Sequence, residues 1–173
     1  QTHRLFHDPF LLPDMERAVV RLQQAIACGE LILVVGDSDA DGITATAIMM
    51  QYLRARAANA EYTIPDNGNN LAVFSQQSLA DMLERGVRLV VTVDLGVSAV
   101  EQISAFQAQG IDVIVTDHHE CKKELPDCFA VIDPKCPNSD YPFDGLSGAG
   151  VALRRYARGV LRQLRLGRRR HGG

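Results

Sequence analysis

Apolar runs set the rhythm of this chain. Leu31 to Val35 is wholly apolar and is bounded by Gly36, and Arg88 to Val93 and Ile111 to Val115 repeat the pattern. Runs of this length and composition read as strands buried on both faces of a parallel sheet. A further strand is expected at Glu61 to Ile64, ended by Pro65, and a short one at Phe129 to Ile132. Between the runs the period changes to that of a helix. Asp14 can cap a helix to about Ala27, with Ala18, Val19, Leu22, Ala25 and Ile26 on one face and Gly29 as its stop. Ile43 to about Arg56 reads as a second helix, burying Ile43, Ala47, Ile48 and Met50. Ser75 or Ser78 can start a third, ended near Arg85 by Gly86. Ser98-Ala-Val-Glu101 fits a capping box for a fourth, which runs to Gln109 with Gly110 as its stop.

This alternation predicts an α/β fold: a three-layer α/β/α domain with a mainly parallel sheet and right-handed crossovers. After His119 the chain is rich in loops, with Pro126, Pro134, Pro137 and Pro142. From Gly148 a helix with small residues begins and turns arginine-rich. The expected organisation is a lead-in over 1–13, one domain over 14–153 and a basic tail over 154–173.

Composition narrows the class. At 46% hydrophobic residues, a packed core is expected and global disorder is not. No apolar run approaches the ~20 residues of a membrane span. The first residues lack a basic start followed by an apolar core, so a cytoplasmic protein without a membrane partner is expected. Cys28, Cys121, Cys128 and Cys136 form no C-x-x-C pair. Reduced thiols are the default reading, with a soft-metal site of Cys121, His118 and His119 as the alternative. All 21 acidic residues precede residue 145, whereas 8 of the 18 basic ones fall between Arg154 and Arg170. So acidic a body is not a general nucleic-acid sponge; action on nucleic acid must be local and helped by bound cations. Neither G-x-G-x-x-G nor a P-loop lysine is present.

The candidate chemistry sits where the apolar runs end. The first is followed by Asp37, Asp39 and Asp41, the third by Asp94, and the fourth by Asp117-His118-His119. In a parallel sheet these ends share one rim, where open α/β sheets bind ligands. One aspartate suffices to cap a helix, but three in five residues repel one another unless a cation lies among them. Oxygen donors alone suit magnesium or manganese, and adding imidazoles favours manganese, iron or zinc over calcium.

VVGDSDADGITATAI, VTVDLGVSA, VTDHHE and FDGLSGAGVA, in that order, resemble the motifs of the DHH phosphoesterase superfamily, most closely its RecJ-type single-strand-specific exonucleases. The likeness covers residues 14 to 155. It implies a Rossmann-like catalytic domain and a two-metal site using Mn2+ or Mg2+. It further implies 5′–3′ hydrolysis of single-stranded DNA or oligonucleotides in DNA repair and recombination. Carried over by motif, Asp37, Asp39, Asp94 and His118 would ligate metal, with Asp94 bridging. His119 would face the scissile phosphate. Thr116 or Asp117 would orient the imidazoles, Asp41 would fix the turn, and Ser147 and Gly148 would meet substrate.

Some positions depart from the pattern. Val35 stands where some relatives have histidine, and Leu95 where asparagine is expected. The loop after Pro65, DNGNNLAVF, lacks the arginine and tyrosine that would grip substrate. No acid follows Asp144, so the fourth-motif aspartate and the second, substrate-binding domain are missing from the pattern. The resulting expectation is a fragment with a non-native basic tail, one metal ligand short and weakly active or inactive. Two alternatives stay open. One is a relative acting on short oligonucleotides, cyclic dinucleotides or pyrophosphate. The other is a non-catalytic module binding nucleic acid or a protein partner.

Overall fold

The computed structural model describes residues 7–65, 69–121 and 124–152. The basic tail, the first six residues and the start of the polar loop after Pro65 lie outside the described residues.

Five strands form one all-parallel sheet in the order β2-β1-β3-β4-β5, where β1 is Leu31–Gly36, β2 Ala60–Thr63, β3 Val87–Val93, β4 Asp112–Thr116 and β5 Ala130–Ile132. Side chains alternate across the sheet as strand geometry requires. Ile32 and Val34 of β1, Leu89, Val91 and Val93 of β3, and Ile114 of β4 join one core, which is closed by helices α1 (Met15–Cys28) and α2 (Ala40–Arg54). Leu33 and Val35, with Val90, Val113 and Val115, join a second core under α3 (Gln76–Glu84) and α4 (Val100–Ala108). The three-layer α/β/α architecture is therefore the one that the periodicity predicts. Phe106, 1% exposed, meets Phe74 edge-on at 5.8 Å between ring centres. Truncating it to Ala would cost about 3–5 kcal/mol.

Element ends fall within a few residues of expectation, and three differences have identifiable causes. Asp14 precedes α1, but at φ 52° its carboxylate makes no capping bond and instead accepts the Val131 amide of β5. Helix α2 starts three residues early, at Ala40, because Asp39 caps it by accepting from Gly42 N at 2.8 Å. Its buried face is accordingly Ala45, Thr46, Met49, Met50 and Leu53, whereas Ile43 is half-exposed and Ala47 exposed. The Ser98 capping box does not form: α4 begins at Val100 behind Ala99, with no side-chain cap. Elsewhere the expected punctuation holds. Ser75 accepts from Ser78 N to start α3, and Gly29 ends α1 in the left-handed region at φ 68°.

Strand order decides where the site falls. After β2 the chain crosses back over β1 to place β3 on its other side, so β1 and β3 are neighbours whose connections leave in opposite directions. That is the topological switch point of a 2-1-3-4-5 sheet, where a crevice opens beyond the strand ends.

Candidate metal centre

Register aligns the strand ends. Gly36 pairs with Val93, Val93 with Thr116, and Thr116 with Ile132. The next residue on each of the four strands is an aspartate: Asp37, Asp94, Asp117 and Asp133. Asp94, Asp117 and Asp133 are all but completely buried. Asp133 is not among the residues that the sequence motifs single out. A signal for it exists nonetheless, because the apolar run ending at Ile132 stops in an acid as the other three do.

Each aspartate is held differently. Asp94 leaves β3 at φ 64°, a left-handed conformation that Asp tolerates better than most residues, and its amide donates to Thr116 O at 2.9 Å. Neither of its carboxylate oxygens accepts an aligned hydrogen bond. Nε2 of His118 approaches Oδ1 to 2.9 Å. Burial, then the charges of Asp41 and Asp39, push the Asp94 carboxyl up to about 7.

Asp117, by contrast, is fully engaged. Its Oδ2 accepts from Val97 N, and its Oδ1 accepts from the amides of His118 and His119 and bonds Nδ1 of His119 at 2.7 Å. Those bonds explain the missing capping box: the 94–99 segment is drawn toward β4 instead. Burial opposes charge on His119, but the bond to Asp117 and the carboxylates of Asp117, Asp94 and Asp37 outweigh it and raise its pKa. The two imidazoles lie 4.6 Å apart between ring centres.

Asp94, His118 and His119 each offer a ligand atom within 4.8 Å of the others. The donor set fits a divalent ion of manganese, iron or zinc type. A buried carboxylate with no aligned donor is the kind of group a cation would satisfy. Asp37 begins one residue beyond the strand pair Gly36–Val93, and its carboxylate accepts from Ser38 N. Asp39 turns one oxygen to its capping bond and acts on Asp94 through charge. The trio of closest ligand atoms thus includes His119 and neither Asp37 nor Asp39.

Asp41 joins the site to a distant segment. Its oxygens accept from Gly148 N at 2.7 Å and Ala149 N at 3.0 Å, and Oδ2 lies 3.6 Å from His118 Nε2. Residues 148–152 are helical, and Ser147 caps them by accepting from Gly150 N. The Gly148 amide and the Ser147 hydroxyl are therefore both occupied within the protein. A Cβ at Gly148 would stand 2.2 Å from Asp94 Oδ1, so only glycine fits against that carboxylate. Cys121 does not join the histidines; its thiol lies 3.3 Å from that of Cys136.

The fold is a doubly wound domain in which acids and imidazoles converge at the switch point, a donor set that fits a divalent ion. The chain belongs to the DHH family: the model of the DHH family, N-terminal domain, matches residues 31–166. It is RecJ-like within that family. It is 42% identical over 149 residues to the single-stranded-DNA-specific exonuclease RecJ of Bacillus subtilis, covering 86% of this chain and 19% of that protein. Identity to the Escherichia coli RecJ is 37% over 143 residues, covering 82% of this chain and 25% of that one. Among solved structures, RecJ of Thermus thermophilus in complex with Mn2+ superposes with a TM-score of 0.69 at 32% identity, over 84% of this chain and 20% of the other. The chain thus spans a fifth to a quarter of the length of these relatives.

Proposed function

We propose that this chain is the metal-bearing part of a RecJ-type nuclease that hydrolyses phosphodiesters of single-stranded DNA from the 5′ end, with Mn2+ or Mg2+. The observation carrying this reading is the buried Asp94 carboxylate, free of aligned donors and faced by two imidazoles at the switch point. Asp94, His118 and His119, with Asp37 and Asp39 beside them, would hold the ions. Divalent ions bound there would supply Lewis acidity and lower the pKa of a bound water.

The chain's own residues do the rest. Asp117 holds Nδ1 of His119 and so fixes which ring nitrogen faces the cleft. Nε2 of His119, the ring nitrogen left free by that bond, is then the atom it would offer an ion beside Asp94 and His118. Asp41 sets the turn of residues 147–149 against Asp94. In a cytoplasmic setting such a nuclease would serve DNA repair and recombination.

Manganese titration by calorimetry, paired with degradation of a 5′-labelled long single strand and of a dinucleotide, tests the reading. The expected result is manganese uptake weakened by Asp39→Ala, and shortening of the long strand in preference to the dinucleotide. Faster cleavage of the dinucleotide would point to the small-substrate relative. No manganese uptake would leave a non-catalytic binding module.

A further inference from the structure

Two thiols stand behind the metal centre. Cys121 Sγ and Cys136 Sγ lie 3.3 Å apart, in van der Waals contact. Neither belongs to the group formed by Asp94, His118 and His119. Cys121 follows His119 by two residues on the segment leaving β4, and Cys136 lies in the turn leaving β5. That turn is fixed: the Cys136 amide donates to Asp133 O at 3.3 Å, and Cys136 O accepts from Ser139 N at 2.9 Å. Cys136 is 5% exposed and Cys121 is half-buried, so solvent meets Cys121 first. The other two cysteines are placed differently. Cys28 is exposed at the end of α1, on the opposite rim, and the Cys128 thiol is turned to Ala130 O.

We propose that Cys121 and Cys136 are an oxidisable pair, a modification site that a peroxide closes into a disulfide. The sulfur of Cys121 attacks one peroxide oxygen, the O–O bond breaks, the thiol proton passes to the departing hydroxide, and the sulfur becomes a sulfenic acid as one water leaves. The Cys136 sulfur then attacks the sulfenic sulfur, the S–O bond breaks, and a second water leaves. In sum, two thiols and one hydrogen peroxide give one disulfide and two waters: both sulfurs are oxidised and the peroxide is reduced. The bond would tie the segment carrying His118 and His119 to the turn after Asp133. It closes a short loop between sulfurs already in contact.

The test is a peptide map of the full chain under non-reducing conditions, before and after hydrogen peroxide, with free thiols alkylated. Free thiols should fall from four to two, a Cys121–Cys136 cross-linked peptide should appear, and reductant should restore all four. The oxidised chain should unfold at a higher temperature than the reduced one. In Cys28→Ser, remote from the site and free of chain-to-chain cross-links through that residue, the count should fall from three to one with the same Cys121–Cys136 peptide. Four surviving thiols, a cross-link through Cys28 or Cys128, over-oxidised Cys121 beside free Cys136, or a lower unfolding temperature would each overturn the proposal. The map uses the unsubstituted cysteine pair, so its outcome does not depend on a variant that fails to fold.

Discussion

Both rims of the sheet carry buried charge, and they treat it in opposite ways. At the rim where strands begin, Arg21 is 8% exposed and lies between two carboxylates, donating to Glu30 at 2.7 Å and to Asp112 at 2.5 Å. Gln107 adds a bond to Asp112 and another to Val113 N. The rim where strands end gathers Asp94, Asp117 and Asp133 in one row. Among the described residues, the ion pairs to Asp41, Asp94 and Asp117 come from histidine alone. One rim resolves its charge with a resident arginine and serves stability. The other leaves negative charge to be met from outside, at a standing cost to the fold, as a binding site must.

Asp94→Asn should sharpen that contrast most. Asn tolerates the left-handed backbone and removes the charge. Manganese affinity should fall by more than the roughly 10–100-fold typical of changing a group that only orients a ligand. The metal-free chain should meanwhile melt higher, and a lower melting point would break the comparison. Next in size is pH. Asp94 and Asp133 are pushed up to about 7 and about 6, each by burial first, and His119 is also raised. A carboxyl with a folded pKa above its unfolded value favours the fold while protonated, and this contribution is lost as pH rises through the folded pKa; a raised histidine has the same sign. The metal-free chain should therefore lose stability as pH rises from about 4 to about 8, with on the order of 2–3 kcal/mol of the loss between pH 5 and 8 coming from Asp94. Thermal unfolding should show manganese reversing the loss at pH 8 and doing little at pH 5.

Arg21→Met attacks the other rim. It should destabilise by about 2–3 kcal/mol, below the value for a fully buried pair because both carboxylates are partly exposed. Denaturant unfolding measures this, and manganese affinity should stay unchanged. Asp117→Asn is the mildest. It keeps one acceptor for the amides it gathers but loosens His119, so manganese affinity should drop about 10–100-fold with the fold retained.

Most of the architecture is legible in the sequence because apolar runs buried on both faces have few other readings, and the acids at their ends mark the rim. What escapes is set by contacts remote in sequence. The Ser98 box loses to Asp117, which pulls on Val97 N from β4. The Asp14 cap loses to an amide of β5, 117 residues away. Asp133 escapes because none of the sequence motifs reaches it, although the short strand before it is legible and register places it in the same row as Asp37, Asp94 and Asp117. The pairing of Cys121 with Cys136 depends on how two loops fold back, which spacing alone does not encode.

Asp41 belongs to the first turn of α2, yet its two oxygens grip the opening amides of a helix more than a hundred residues later. Two helices are thereby riveted nose to nose, with Gly148 as the washer against Asp94. One carboxylate thus fixes the distance between the two helix starts, and with it the depth at which Asp94 lies beneath them.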